Sequence, residues 1–254
     1  MAAKITIRDL TMAYGDFVVM HDLNFEIEDK DIFVIMGGSG CGKSTLLRHL
    51  IGLREPAKGS ILYGDKDFTA TDPAERGPFI QRFGVMYQSG ALWSSLTLGE
   101  NISMPLEETG KLSSATVRDL VAYKLSLVGL SGFEDYYPSQ ISGGMKKRAG
   151  IARAMALDPD ILFLDEPGAG LDPLSSRRLD DLILGLRDSQ GSTIVIVTHE
   201  LASIFSIANK ALFLDTATRT QGALGNPCEL RDHSDNPAVR HFLNRAETPA
   251  PTPS

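Results

Sequence analysis

The amino-acid sequence predicts an α/β fold built on a parallel sheet, with a mainly helical stretch over residues 91–157. Two observations carry this expectation. Apolar runs that read as strands covered on both faces, Ile161-Leu162-Phe163-Leu164 and Thr193-Ile194-Val195-Ile196-Val197, alternate with helical patterns, as in a parallel sheet. A Gly-rich turn, Gly37-Gly38-Ser39-Gly40-Cys41-Gly42-Lys43-Ser44, joins the apolar run Ile32–Met36 to a helical run, Thr45–Ile51. That turn fits G-x-x-x-x-G-K-[ST], the phosphate-binding P-loop.

The elements follow in order. Ile5 and Ile7, then Leu23, Phe25 and Ile27, alternate with polar residues and predict short strands over 5–8 and 23–27. Asp29-Lys30-Asp31 marks a turn before the P-loop strand. Gly59–Tyr63 reads as a strand closed by Gly64-Asp65, and Arg82–Gln88 as another. Val117, Leu120, Val121, Leu125 and Val128 have helical spacing, and Ser113-Ser114 can start that helix. A second helix is expected from Gly143 to Leu157, stopping before Asp158-Pro159, since a residue ahead of proline disfavours the helical region. Pro173 opens a helix reaching about Arg187, and Leu201–Ala208 forms another. The Pro-rich tail Thr248–Ser254 lacks apolar bulk and is expected to be disordered.

Bulk properties exclude some functions. A length of 254 residues suits one large domain or two modest ones. A formal net charge of −7 argues against a general nucleic-acid binder, which needs a basic footprint. The two cysteines, Cys41 and Cys228, read as reduced thiols of a cytosolic protein. The N-terminus does not read as a signal peptide, and no apolar run approaches the ~18 residues of a membrane span. Any membrane role is therefore expected to come through a partner.

Three motifs carry chemistry. In the P-loop, glycines let backbone N–H groups curl around phosphate oxygens, and the helix N-terminus adds its dipole. Lys43 would reach the β- and γ-phosphates, and the Ser44 hydroxyl would ligate Mg²⁺. Ile161–Leu164 then leads into Asp165-Glu166, a Walker B pattern. Asp165 would hold Mg²⁺ through water, and Glu166 would polarise the attacking water. Finally, Ser142-Gly143-Gly144 opens a helix with Ser142 as cap, a second anion site of the same physical kind. Two phosphate cradles make sense if the second serves a nucleotide held by another subunit.

These motifs, in this order with Gln88, Gly170-Leu171-Asp172 and His199, resemble the nucleotide-binding subunits of ABC (ATP-binding cassette) transporters. The resemblance runs from about Ile5 to about Leu224. It implies a P-loop (RecA-like) parallel-sheet core with an N-terminal antiparallel β subdomain and an inserted α-helical subdomain. The expected boundaries are 1–90 and 158–225 for the core lobe, 91–157 for the insert and 226–254 for a C-terminal extension. It implies ATP and Mg²⁺ as ligands, with ATP bound by Gly37, Gly38, Ser39, Gly40, Cys41, Gly42, Lys43, Ser44 and Thr45. A second copy joins head to tail and brings Ser142, Gly143 and Gly144 to that ATP. By the same resemblance Tyr14 stacks on adenine, Gln88 senses the γ-phosphate through Mg²⁺ and water, His199 touches the γ-phosphate and attacking water, and Asp172 links the two sites.

The usual signature Leu-Ser-Gly-Gly-Gln here carries Ile141 and Met145 at its ends. Met145 with Lys146-Lys147-Arg148, the segment Gln88–Trp93 with Ser95-Leu96-Thr97 and Glu100-Asn101-Ile102 close behind, and Asn236–Leu243 are similar to the ATPase of Mla/Mce-type phospholipid transport systems. That similarity implies an integral membrane permease as partner, a lipid-binding Mce-type protein and a small regulatory subunit beside it, and a peripheral place on the cytoplasmic face of the bacterial inner membrane. Amino-acid, metal or lipoprotein systems are the alternative cargoes. A P-loop phosphotransferase is the alternative class, disfavoured by Ser142-Gly143-Gly144. A soluble machine acting on ribosomes or DNA would carry two cassettes or a coiled-coil insert.

Overall fold

The computed structural model describes residues 5–88 and 90–245. The first elements are β1 (Ile5–Tyr14), β2 (Phe17–Ile27), β3 (Ile32–Gly37), α1 (Lys43–Leu50), β4 (Lys58–Tyr63) and β5 (Lys66–Asp67). Next come α2 (Gly77–Ile80), β6 (Phe83–Met86), α3 (Leu98–Glu108), α4 (Ser114–Leu127) and α5 (Gly143–Ala154). The chain continues through β7 (Ile161–Asp165), α6 (Pro173–Gln190), β8 (Thr193–Val197), α7 (Leu201–Ile207) and β9 (Lys210–Asp215). It closes with β10 (Thr220–Gly225), α8 (Pro227–His233) and α9 (Pro237–Asn244). The α/β class with a parallel sheet and a separate antiparallel sheet is borne out.

The chain forms two compact units, Met1–Thr71 with Val197–Ser254, and Asp72–Ile196. In the first, an antiparallel sheet has the order β2-β1-β4-β5. One face buries Ile5, Ile7, Leu10, Leu23, Phe25 and Ile27. Strand β3 is buried along its whole length and pairs in parallel with β9, from Phe33↔Lys210 to Gly37↔Leu214. The Phe25 and Phe33 rings stack at 5.5 Å, fastening the antiparallel sheet to β3.

The N-terminal strands run longer than the alternation predicts. Register shifts between Ile7, Leu10, Met12 and Ala13 break the β1–β2 pairing. Each shift carries side chains to the other face, so the period-two pattern fails while the strand continues. Beyond Ala208, β9, β10, α8 and α9 were not foreseen. They are tertiary elements: Val239, Phe242 and Leu243 are buried, and the Phe242 ring meets Phe213 at 5.4 Å. The Pro-rich tail at 248–254 lies outside the described residues.

In the second unit β6 pairs in parallel with β7, from Phe83↔Ile161 to Met86↔Leu164. Thr97 and Glu100 form a reciprocal capping box on α3, Ser113 caps α4 and Ser142 caps α5. Such caps satisfy N–H groups that a helix start leaves open. Helix α5 stops at Ala154, three residues before the expected end. Asp158 takes a left-handed φ of 49°, and the buried Lys124 ammonium bonds its carboxylate.

Candidate functional site

The P-loop in the first unit shows why its sequence reads as it does. Gly42 sits at φ 96° as the N-cap of α1, where an added Cβ would lie 2.8 Å from Val19. Gly37 has φ 148°, and a Cβ there would lie 2.7 Å from the Leu214 carbonyl of the paired strand. A side chain at either position would distort the loop. On its outer side the loop is open, for Cβ atoms at Gly38 and Gly40 would meet nothing within 4 Å. No side chain caps α1 and no acidic residue occupies its first turn, unlike α3, α4, α5 and α6, which side chains cap. A helix start kept clear of the chain's own oxygens suits a phosphate.

Lys43, expected to reach phosphate, folds its ammonium onto the carbonyls of Gly37 and Gly38, each at 3.0 Å. Ser39 is exposed, and Ser44 and Thr45 are half-buried on the first turn of α1. Cys41 is a buried free thiol, pushed above the ordinary thiol range by burial.

Tyr14, at the end of β1, is 41% exposed. Its hydroxyl lies 3.4 Å from Thr45 Oγ1. That contact leads in holding the phenol below its usual range, with nearby Arg54 and Arg48 adding to it. The Arg54 guanidinium stands 3.6 Å over the ring and donates to the Ala13 carbonyl at 3.1 Å. The structure thus brings Tyr14 to the P-loop helix. His199 is exposed in the same unit. Its neighbour Thr198 donates to Ile35 of the P-loop strand at 3.3 Å, and the His199 carbonyl takes the Arg245 guanidinium.

The second unit holds the remaining predicted residues. Asp165 ends β7 half-buried. Glu166 follows at 8% exposure with a left-handed φ of 48°. For a non-glycine residue that costs on the order of 1–3 kcal/mol and persists only where the surroundings enforce it. Two donors meet its carbonyl, Ala169 N at 3.2 Å and the Lys147 ammonium at 3.1 Å. Gln88 is exposed just beyond β6.

Ser142 accepts from Met145 N at 3.3 Å, and Gly143 opens to empty space. Asp172 caps α6, accepting from Leu174 N and Ser175 N at 3.0 Å each. Bonding from the Ser175 side chain is the leading cause of a carboxyl below the usual range. The structure brings the signature turn to this helix, since a Cβ on Gly144 would lie 3.7 Å from Ser175.

Three residues have roles that the sequence reading did not assign. Lys147 appeared there only within a basic run, yet it is 8% exposed and bonds the carbonyls of both Gln88 and Glu166. Arg54 covers Tyr14. Asn101, with no exposure, ties together the loop that carries Trp93. Basic and amide side chains carry no local signal of burial, so only contact shows their roles.

Comparison with known proteins agrees with this architecture. The family model described as "ABC transporter" matches residues 20–169. The probable ribonucleotide transport ATP-binding protein mkl of Mycobacterium leprae is 39% identical over 244 residues, covering 96% of this chain and 70% of that protein. The intermembrane phospholipid transport system ATP-binding protein MlaF of Haemophilus influenzae is 37% identical over 245 residues, covering 96% of this chain and 92% of that protein. Among solved structures, a dimeric ATP-binding cassette in a post-hydrolysis state with ADP and Pi has a TM-score of 0.79 at 26% identity, covering 87% of this chain and 98% of that one. On its motifs, its fold and these relatives, the chain belongs to the ABC transporter family, as an ATP-binding ATPase subunit.

Proposed function

We propose that this ATPase drives a phospholipid transporter, working as a head-to-tail dimer beneath a membrane permease on the cytoplasmic face of the inner membrane. The observation supporting this cargo is the 37% identity to MlaF, which spans 92% of that protein. A lipid-binding Mce-type protein and a small regulatory subunit belong to the same proposal. Among the described residues no helix is long and apolar enough to cross a membrane, so the permease supplies the membrane path. The mycobacterial relative is named for ribonucleotide transport, which makes ribonucleotide the competing cargo.

ATP is the substrate and Mg²⁺ the metal. The P-loop amides and the Lys43 ammonium would cradle the β- and γ-phosphates. Tyr14 would stack on adenine. Ser44, Gln88 and Asp165 would hold Mg²⁺, which supplies charge neutralisation at the phosphate oxygens. Glu166 would orient water and accept its proton, with His199 placing the same water. Ser142, Gly143 and Gly144 of one copy would close on the nucleotide of the other, and Asp172 would join the two sites. Phosphoryl transfer to water needs chiefly this positioning and charge stabilisation. The helical subdomain over 91–157 would carry the motion to the permease.

Trp93, 59% exposed on the loop beyond Gln88, is the proposed anchor for a permease segment, because aromatic residues dominate such contacts. The test is affinity purification from native membranes. It should recover an integral membrane permease with co-purifying phospholipid, and Trp93→Ala should weaken that association while ATP affinity stays unchanged. Recovery of ribonucleotide-binding partners, or of a soluble protein alone, would overturn the lipid reading.

A further inference from the structure

Gln88, Gly90 and Ala91 are held by the helix that the signature turn opens. Three contacts, spaced three residues apart on α5, make this attachment. The Lys147 ammonium donates to the Gln88 carbonyl. Gly150 meets Gly90 so closely that a Cβ on Gly150 would lie 3.0 Å from both the Gly90 Cα and its carbonyl oxygen. Arg153 Nη1 donates to the Ala91 carbonyl at 2.5 Å. Residues three apart are neighbours on a helix surface, so Lys147, Gly150 and Arg153 follow one another in a strip that winds along α5 and holds Gln88, Gly90 and Ala91 in turn.

Lys147 reaches a second place. Its ammonium also bonds the Glu166 carbonyl at 3.1 Å, at a residue whose left-handed φ of 48° must be enforced from outside. One buried side chain therefore fixes the backbone on both sides of the chemistry assigned above: the Gln88 end and the Glu166 end. A lysine can do this because its ammonium has three donors on a long stem.

Resting on the catalytic roles proposed for Gln88 and Glu166, we infer that Lys147 is a positioning residue that locks both to the signature helix. Any shift of the Ser142–Gly144 turn on meeting the partner copy's nucleotide would then move Gln88 and Glu166 of its own chain together. Lys147 acts through the Gln88 and Glu166 backbone that it holds. Its effect falls on the turnover step and leaves ground-state nucleotide binding alone.

The experiment measures steady-state phosphate release and ATP-analogue affinity of the full-length protein and its variants. Lys147→Met keeps the stem and removes the donors. It should bind the analogue like the parent, with kcat lower by on the order of tenfold or more, as small misplacements of catalytic groups cost. Lys147→Gln retains two N–H donors on one nitrogen and should recover most of that loss. Gly150→Ala pushes the same segment off α5 without touching Lys147, and should lower kcat with KM unchanged. It decides the matter if Lys147→Met fails to fold.

A Lys147→Met kcat within about twofold of the parent, equal loss in the Met and Gln variants, or a parental Gly150→Ala kcat would overturn the inference; about twofold here corresponds to less than 0.5 kcal/mol, within the range of ordinary surface changes. Glu166→Gln in the same assay separates the two claims. Were that variant fully active, the assignment of Glu166 itself would fail. Were it inactive while the Lys147 variants turned over normally, only the positioning role would fall.

Discussion

Asn101→Ala tests whether the loop bearing Trp93 is rigid. Asn101 is fully buried on α3. Its Oδ1 accepts from Trp93 N at 2.8 Å. Its Nδ2 donates toward the carbonyls of Trp93, Leu96 and Thr97 at 3.1, 3.2 and 2.8 Å. An amide nitrogen has only two hydrogens, so these contacts amount to three full bonds.

The Trp93 and Thr97 carbonyls keep backbone donors, from Leu96 N at 3.2 Å and Asn101 N at 3.0 Å. The Trp93 N–H and the Leu96 carbonyl lose the side-chain partner. At about 1 kcal/mol net per bond, with some recovery from water at an exposed loop, the loss should be about 2–3 kcal/mol. For m of about 2–3 kcal/mol/M in urea, the midpoint should fall by about 1 M.

Trp93 is the only tryptophan in the chain, so its fluorescence reads the loop directly. Acrylamide quenching should rise in Asn101→Ala before global unfolding begins. Asn101→Asp keeps the acceptor but turns an oxygen toward three carbonyls, and should lose at least as much. A change below about 0.5 kcal/mol, as for ordinary surface sites, would refute the claim that this amide organises the loop.

Other expectations can be tested on the same protein. Glu166→Gln should bind ATP and cut turnover by on the order of 10²-fold or more. Light scattering should then show dimers with ATP and none with ADP. Ser142→Arg and Lys43→Ala should each lack turnover, and mixing them should restore part of it, since a mixed dimer holds one intact composite site; full activity of Ser142→Arg alone would refute a shared site. Burial pushes the His49 imidazole below its ordinary value, partly offset by its 2.9 Å bond with the Arg54 carbonyl. The folded state keeps it neutral while the unfolded chain takes up a proton below about pH 6.5, so its contribution is present above that pH and lost as pH falls. Urea midpoints at pH 7.5 and 5.5 should show a shallower dependence in His49→Gln, by at most about 1.4 kcal/mol per pH unit; identical slopes would remove His49 from the account.

Much of the architecture was legible wherever the signal is local. The P-loop announces itself because phosphate binding needs glycines at fixed offsets between a strand and a helix, and Gly37 and Gly42 occupy conformations or spaces that deny a side chain. Strand β8 matched its apolar run residue for residue, since a strand covered on both faces has no alternation to lose. Ser113, Ser142 and Asp172 each cap the helix they precede, because a cap acts within three residues of itself.

Tertiary structure alone decided the rest. The N-terminal strands outran their pattern because bulges invert the facing of side chains while pairing continues. Lys147 lies 59 residues from one carbonyl it holds and 19 from the other, and Arg54 lies 41 residues from the Ala13 carbonyl it bonds beside Tyr14. A lysine in a basic run looks the same whether its ammonium meets water or two backbone carbonyls. What distinguishes the cases is which chain segments pack around it, and that is settled only when distant segments meet.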